Sequence, residues 1–158
     1  MRLSRALSVL APLALAACLS GTEPESYPNI PIENTTFAQS LNVDLAASTK
    51  TSTGLYYRDL SVGNGKTVAS GDSVYVRYSG AFPTGQVFDQ RTPAQPTFDF
   101  KLGTGFVIPG WDEGIVGMKV GGSRQLIIPP ALAYGPTGYL SIPPNAVLVF
   151  NINMSSAK

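Results

Sequence analysis

Residues 98–130, FDFKLGTGFVIPGWDEGIVGMKVGGSRQLIIPP, contain the two patterns that decide the fold. Apolar and polar residues alternate through FDFKL, and a period of two predicts a strand with one apolar face. Trp111, Ile115 and Met118 then recur at i, i+4 and i+7, a spacing that predicts a short amphipathic helix of about two turns. The only tryptophan of the chain lies on that helix, beside Pro109 and several glycines.

Three further segments also have the pattern of strands. SVYVRYSG at residues 73–80 alternates over its full length, and RQLIIPP at residues 124–130 directs Leu126 and Ile128 inward. AVLVFNI at residues 146–152 places an apolar row on one face. Turn signals such as Pro-Thr-Gly separate the runs. We therefore expect an α+β domain, with a curved antiparallel β-sheet wrapped around one short α-helix.

Composition excludes several classes of function. The chain of 158 residues is long enough for one domain with extensions, and 11 basic residues balance 10 acidic ones. This balance gives no field that would attract nucleic acid. Histidine is absent, so Ser-His-Asp or Cys-His catalysis and His-ligated metal sites are excluded. We expect no cofactor and no metal.

The first 18 residues have the pattern of an export signal. Arg2 and Arg5 precede the apolar run ALSVLAPLALAA, which is too short to span a bilayer as a helix. It leads into Leu-Ala-Ala-Cys, which resembles the lipobox of bacterial lipoproteins and implies cleavage after residue 17 and lipidation of Cys18. The alternative is an ordinary signal peptide with a chance cysteine. A lone thiol can form no intramolecular disulfide, which favours the lipoprotein.

A lipid anchor would place the protein at the bacterial cell envelope, with its domain in the periplasm or at the cell surface. Leu19 follows the cysteine where the inner-membrane retention signal has Asp, which favours the outer membrane. Residues 18–52 are then a tether or an N-terminal arm. Phe37, Leu41, Val43 and Leu45 could pack on the domain, but a solvated linker fits the sequence equally well.

The folded part of the chain resembles an FKBP-type peptidylprolyl cis–trans isomerase. The resemblance rests on the blocks GQVFDQ, TFDFKLGTGFVIPGWDEGIVGMKVGGSRQLIIPP, AYG and IPPNAVLVF, in this order and at near-characteristic spacing. It covers residues 53–154, which we take as the isomerase domain, with residues 155–158 as a C-terminal tail.

The resemblance implies a pocket of aromatic and aliphatic side chains with one carboxylate at its rim. The resemblance implies a catalytic role for Asp89, Tyr134, Tyr78 and Phe150. It implies a role in substrate binding for Phe88, Phe98, Val107, Ile108, Trp111 and Ile142. Trp111 would be the floor under the substrate proline, while the Ile108 N–H and the Tyr134 hydroxyl would bind substrate carbonyls.

Isomerase chemistry suits a chain without histidine. Resonance makes the X-Pro bond slow to rotate, and a dry apolar pocket favours the less polar, twisted amide without any proton transfer. The implied partners are proline-containing segments of exported proteins, macrolide inhibitors and, through the anchor, a membrane. A monomer is expected. A non-catalytic chaperone or peptide-binding module on the same fold, and a structural lipoprotein, are the alternatives.

One loop departs from the pattern of the family. GYLSIPP at residues 138–144 is one residue shorter than expected, with one isoleucine before the paired prolines. Tyr139 stands where many relatives have histidine. Substrate preference and the assignment of Ile142 depend on this loop.

The lipobox predicts the outcome of Cys18→Ser. Without the thiol there is no thioether, so the precursor should remain unlipidated and unprocessed while the domain still folds. Metabolic labelling with a fatty acid, followed by mass spectrometry of the N-terminus, measures both properties. Label on the Cys18→Ser protein would contradict the prediction.

Overall fold

The computed structural model describes residues 27–158, and the signal segment and Cys18 lie outside the described residues. Its strands are β1 (Thr49–Lys50), β2 (Tyr56–Ser61), β3 (Ser73–Ala81), β4 (Val87–Arg91), β5 (Phe98–Lys101), β6 (Ser123–Ile128) and β7 (Leu148–Ala157). One helix, α1 (Pro109–Gly114), lies between β5 and β6. Short 3₁₀ turns occupy Ile32–Asn34, Gln39–Leu41 and Pro130–Leu132.

All the strands join one antiparallel sheet in the order β1-β2-β6-β7-β3-β4, and β5 pairs with β3 beyond the end of β4. The long strands β3 and β7 form the middle, where Val74 pairs with Ala157 and Ala81 with Val149. Residues 155–157, placed in a tail by the sequence analysis, therefore belong to β7. The predicted α+β class, a curved sheet around one short helix, is confirmed.

The core lies between the concave face of the sheet and α1. The predicted alternation of β3 is confirmed, because Val74, Val76 and Tyr78 are buried and the residues between them are half-buried. Leu148 and Ile152 of β7 are fully buried on the same side. Burial of these side chains supplies the main stabilisation, at about 25 cal/mol per Å² of apolar surface.

Helix α1 is shorter than the apolar spacing predicts. It ends at Gly114, so Ile115 is its C-cap and Met118 lies beyond it, although both side chains are buried in the core. The chain leaves the helical path at Gly117, whose φ of 82° is favourable only for glycine. The prediction of two helical turns is therefore wrong in extent, while its buried face is correct.

The buried Arg124 of β6 closes the C-terminal end of α1. Its Nη1 donates to the carbonyl oxygens of Gly114 at 2.9 Å and Val116 at 3.1 Å. Its Nε and Nη2 form a two-pronged ion pair with Asp59 at 2.7 and 3.1 Å, and the guanidinium lies over the ring of Tyr57. The guanidinium thus donates hydrogen bonds to carbonyl oxygens that would otherwise have no partner at the end of the helix.

The N-terminal arm, residues 27–45, packs on the convex face of the sheet. Its apolar side chains cover a second buried cluster on the side of β2, β6 and β7 away from α1. The members of this contact are Ile32, Phe37, Leu41, Val43 and Leu45 from the arm, Tyr56, Ile127 and Val149 from the sheet, and Val147 just before β7. Strand β6 and the first residues of β7 are consequently buried on both faces. Of the two possibilities that the sequence left open, the structure shows the docked arm.

Polar contacts fasten the arm at two points. The Glu33 carboxylate accepts a hydrogen bond from the Tyr56 hydroxyl at 2.6 Å and pairs with the Lys50 ammonium. The buried Gln125 amide donates to the Leu41 carbonyl at 2.8 Å. Together these bonds determine how the arm lies across the sheet.

Two kinds of feature are missing from residues 27–158. No helix there has the length and apolar character needed to cross a membrane. Within the same residues, no cluster of three or more His, Cys, Asp or Glu side chains is placed to hold a metal ion.

The Glu33 contacts predict an acid-sensitive arm. The hydrogen bond from Lys50, and after it the bond from Tyr56, lowers the pKa of Glu33 from 4.5 to about 2. A lowered pKa in the folded state gives stability that is complete above the unfolded value and is lost as the pH falls toward about 2. Amide hydrogen-exchange protection of residues 30–45 should therefore weaken below about pH 4.5 in the wild type.

Glu33→Gln should lack this component of the pH dependence, because glutamine does not titrate. Asp99→Asn, which removes an exposed carboxylate on β5, serves as the matched control and should behave as the wild type. Equal acid sensitivity of the arm in Glu33→Gln and the wild type would contradict the prediction.

Candidate functional site

An open pocket of about 470 Å³ lies between α1, strand β4 and the loop that follows β6. The side chains around it are mainly aromatic and aliphatic, with one acid and one base. The lining residues are Tyr78, Phe88, Asp89, Arg91, Phe98, Phe106, Val107, Ile108, Trp111, Tyr134 and Phe150.

The indole of Trp111 lines the pocket. Its ring meets Tyr78 edge-on at 5.0 Å between centroids and Phe150 edge-on at 5.2 Å, the arrangement that aromatic pairs prefer. Only 4% of the residue is exposed, so Trp111 belongs to the core and to the pocket together. Within residues 27–158 the buried indole N–H has no hydrogen-bond partner.

A β-bulge directs two consecutive residues of β4 toward the pocket. Gly80 pairs with Asp89 and Ala81 pairs with Val87, so Phe88 is the extra residue between them. A bulge of this kind re-aims side chains, and Phe88 and Asp89 both line the site.

Gly80 makes room for the aromatic wall. A Cβ at this position would lie 2.5 Å from a ring carbon of Phe150 and 2.9 Å from one of Phe88. The two rings meet edge-on, 5.6 Å between centroids, across the space that a side chain would fill. The wall therefore depends on the absence of a side chain near the C-terminal end of β3.

Tyr78 and Asp89 form the polar pair of the rim. The Tyr78 hydroxyl donates to Oδ2 of Asp89 at 2.6 Å. Asp89 lies opposite Gly80, which has no side chain, and its carboxylate reaches the next inward residue of β3. Burial, and after it the bond to Asp89, raises the pKa of Tyr78 well above its ordinary 10, so the hydroxyl keeps its proton at neutral pH.

The loop before α1 is held by the helix itself. The Asp112 carboxylate accepts hydrogen bonds from the backbone N–H groups of Gly103 at 2.8 Å and Gly105 at 2.9 Å. This brace places the following residues at the pocket mouth. The N–H of Ile108, the N-cap residue of α1, donates to no acceptor within the described part of the chain.

Tyr134 lies on the opposite side, after the 3₁₀ turn that follows β6. Its ring stacks on Tyr139, 5.6 Å between centroids and 11° from parallel. Burial raises the pKa of Tyr134, and the negative charge of Asp89 adds to this. Among residues 27–158 the Tyr134 hydroxyl has no hydrogen-bond partner, so it remains a donor for a bound molecule.

The structure brings together every predicted pocket residue except Ile142. Ile142 is 7% exposed and packs in the core, because its backbone closes a tight turn with Tyr139 and draws the side chain under the loop.

Sequence reasoning missed two lining residues. Arg91 follows Asp89 by two positions on a strand, so the alternation of β4 could have identified it. Phe106 lies in an irregular loop, where no periodicity indicates which way a side chain points.

A second cavity of about 260 Å³ lies between the N-terminal arm and the turn after β3. Tyr27, Pro83 and Val147 are among its walls, and none of the predicted site residues lines it.

Comparisons with known proteins agree with this geometry. Residues 64–155 match the family described as FKBP-type peptidyl-prolyl cis-trans isomerase. The FK506-binding protein 4 of Gibberella zeae is 46% identical over 113 residues, which is 72% of this chain and 23% of that protein. The protein of the same name from Mycosarcoma maydis is 46% identical over 70% of this chain and 29% of its own. The chain thus spans less than a third of these relatives.

Solved structures share the fold. FkpA from Escherichia coli superposes with a TM-score of 0.66 at 39% identity, over 71% of this chain and 52% of its own. AtFKBP13 superposes with a TM-score of 0.65 at 35% identity, over 70% of this chain and 98% of its own.

The space over Gly80 predicts the effect of Gly80→Ala. The added methyl group must displace the rings of Phe150 and Phe88, and overpacking of this kind costs about 1–3 kcal/mol in the free energy of unfolding. Urea denaturation followed by Trp111 fluorescence measures that loss. Ser79→Ala, one residue away on the other face of β3, is the control and should change stability by less. Equal stability of the Gly80→Ala protein and the wild type would show that the rings are free to move.

Proposed function

The chain belongs to the FKBP-type peptidyl-prolyl cis-trans isomerase family, and from that premise we propose that it accelerates rotation about X-Pro bonds in polypeptides. The observation that carries the proposal is the pocket itself. An indole floor, aromatic walls and two unengaged donors surround a space of the size of a proline ring with its neighbouring peptide groups. The chain spans only part of the length of the relatives it matches, so its catalytic activity is proposed from its own pocket.

The pocket lowers the barrier by its polarity. Rotation about an X-Pro bond has a barrier of about 20 kcal/mol, because the planar amide is stabilised by resonance and charge separation. The twisted amide loses that charge separation, so an apolar, water-poor site binds it better than the planar form. Trp111 holds the proline ring while the preceding carbonyl swings, which supplies the orientation.

Hydrogen-bond donors fix the rest of the substrate. The Ile108 N–H and the Tyr134 hydroxyl have no partner in residues 27–158 and lie on opposite sides of the floor. Tyr78 and Asp89 hold one another, which keeps the carboxylate at the rim. The raised pKa of Tyr78 and of Tyr134 keeps both hydroxyls protonated near neutral pH, so no proton needs to be exchanged.

We propose further that the protein acts on exported proteins as they fold at the bacterial cell envelope. The supporting features are the basic N-terminus, the short apolar run and Leu-Ala-Ala-Cys ending at Cys18. The arm is docked from Tyr27 onward, so the link between a lipidated Cys18 and Tyr27 has eight residues and a reach of at most about 30 Å. The domain would then work close to the membrane surface. Macrolides that mimic proline are the expected inhibitors.

A holding function on the same surface is the second candidate. Phe106, which lines the pocket, is 69% exposed, and Leu140, which follows Tyr139 in the chain, is 88% exposed. Leu140 also has a φ of 49°, a conformation that leucine rarely adopts. Two apolar side chains presented to solvent in this way favour contact with unfolded chains.

The deciding experiment measures cis–trans relaxation of an X-Pro peptide with the full chain, while Trp111 fluorescence follows binding of a proline-like macrolide. We expect acceleration over the uncatalysed rate, and inhibition that saturates together with the change in emission. A folded protein that binds the macrolide but leaves the rate at background would support the holding function instead.

Two variants distinguish the contribution of hydrogen bonding from the contribution of water exclusion. Tyr134→Phe removes one hydrogen bond worth about 0.5–1.5 kcal/mol, so kcat/KM should fall by up to about tenfold. Phe88→Ala opens the apolar wall to water and should reduce turnover more strongly. If Tyr134→Phe lost far more turnover than a folded Phe88→Ala protein, exclusion of water would not be the main cause of catalysis.

A further inference from the structure

Arg91 is the one basic side chain among the residues that line the pocket, and nothing in the mechanism above uses it. It lies directly opposite Tyr78 in the pairing of β3 with β4. Directly paired residues share a face of the sheet, so the half-buried Arg91 side chain projects on the side where Tyr78 meets Trp111. The guanidinium therefore belongs to the wall of the site.

The charge of Arg91 has no acidic partner within residues 27–158. Each ion pair found there uses another base, namely Lys50, Arg58, Lys66 or Arg124. Asp89, the one acidic residue that lines the pocket, accepts a hydrogen bond from the Tyr78 hydroxyl and forms no ion pair with Arg91. A guanidinium has five N–H donors and cannot lose its charge, so Arg91, which has no ion pair in residues 27–158, presents a cation to whatever enters the pocket.

The surroundings favour an anion at this position. Apart from Asp89 and Arg91, all the lining residues are uncharged, and most are aromatic or aliphatic. A pocket wall of low polarity strengthens the attraction between a cation and an opposite charge. Planar carboxylates also match the fork of a guanidinium in two parallel hydrogen bonds.

We propose that Arg91 is a specificity-determining residue that selects X-Pro segments with an aspartate or glutamate within two residues of the proline. This inference rests on the proposed function, because it assumes that the proline lies over Trp111. The carboxylate of the substrate receives hydrogen bonds from Arg91 at the β4 wall while the proline occupies the floor.

The test compares matched peptides that differ only in charge. Each pair has glutamate or glutamine at one position, in one series before the proline and in another after it. With the full wild-type chain at low ionic strength, kcat/KM should be about threefold to tenfold higher for the glutamate peptide in at least one series. The gain should lie in KM and should fade as salt screens the charges.

Variants assign that preference to Arg91. Arg91→Gln should reduce the ratio of glutamate to glutamine turnover to about one, and Arg91→Lys should retain part of the preference because the charge remains. Arg77→Gln is the matched control, since Arg77 lies on the other face of β3 and its Nη1 contacts Ser155. It removes the same charge from the protein and should keep the wild-type ratio.

The outcomes separate this inference from the proposed function. A wild type without preference, or a preference that Arg91→Gln leaves unchanged, overturns the role of Arg91 whatever the turnover. If no peptide is isomerised, titration of Trp111 fluorescence with the same peptides still measures the preference as a ratio of dissociation constants. Tighter binding of the glutamate peptide, lost in Arg91→Gln, would then support the inference while the proposed activity failed.

Discussion

The edge-on packing of Trp111 against Tyr78 and Phe150 is the contact on which both the core and the pocket depend. The indole rises from a helix of six residues, too short to be stable by itself, and is held by rings from the two central strands. One face of this cluster belongs to the core and the other is open to the pocket. A binding floor made from the core is rigid, because any movement of it would disturb close packing.

The walls of the pocket depend on the absence of a side chain at Gly80 of the central strand β3. Gly80 gives the rings of Phe88 and Phe150 space to approach, and it lets Asp89 lean toward Tyr78. The bulge at Phe88 adds a second side chain to the same wall. The Tyr78–Asp89 pair and the aromatic wall thus both result from the irregular pairing of β3 with β4. Bulges of this kind are common next to active sites, where they redirect side chains.

Support for the site extends to the opposite face of the sheet. The N-terminal arm covers Val147 and Val149, so the start of β7, which carries Phe150, is enclosed on both sides. Arg124 ties the end of α1 to β2 through Asp59, and Asp112 braces the loop at the pocket mouth. The elements that carry the pocket are therefore anchored by contacts away from it. Such anchoring keeps the pocket shape fixed before a substrate arrives, which reduces the entropy cost of binding.

The sequence by itself determined the strand pattern, the class of the fold and most of the pocket. Alternation in SVYVRYSG and the spacing of Trp111 and Ile115 are local properties that a period reveals. Three features came only from tertiary structure. The end of α1 depends on hydrogen bonds from Arg124 of β6. The docking of the arm depends on an apolar face of the sheet, and the burial of Ile142 depends on a tight turn. The arm packs on residues that lie far away in the chain, as the bond between Gln125 and Leu41 shows. Arg124 and the turn between Tyr139 and Ile142 are close in the chain, but they act through hydrogen bonds, which a pattern of apolar residues does not record.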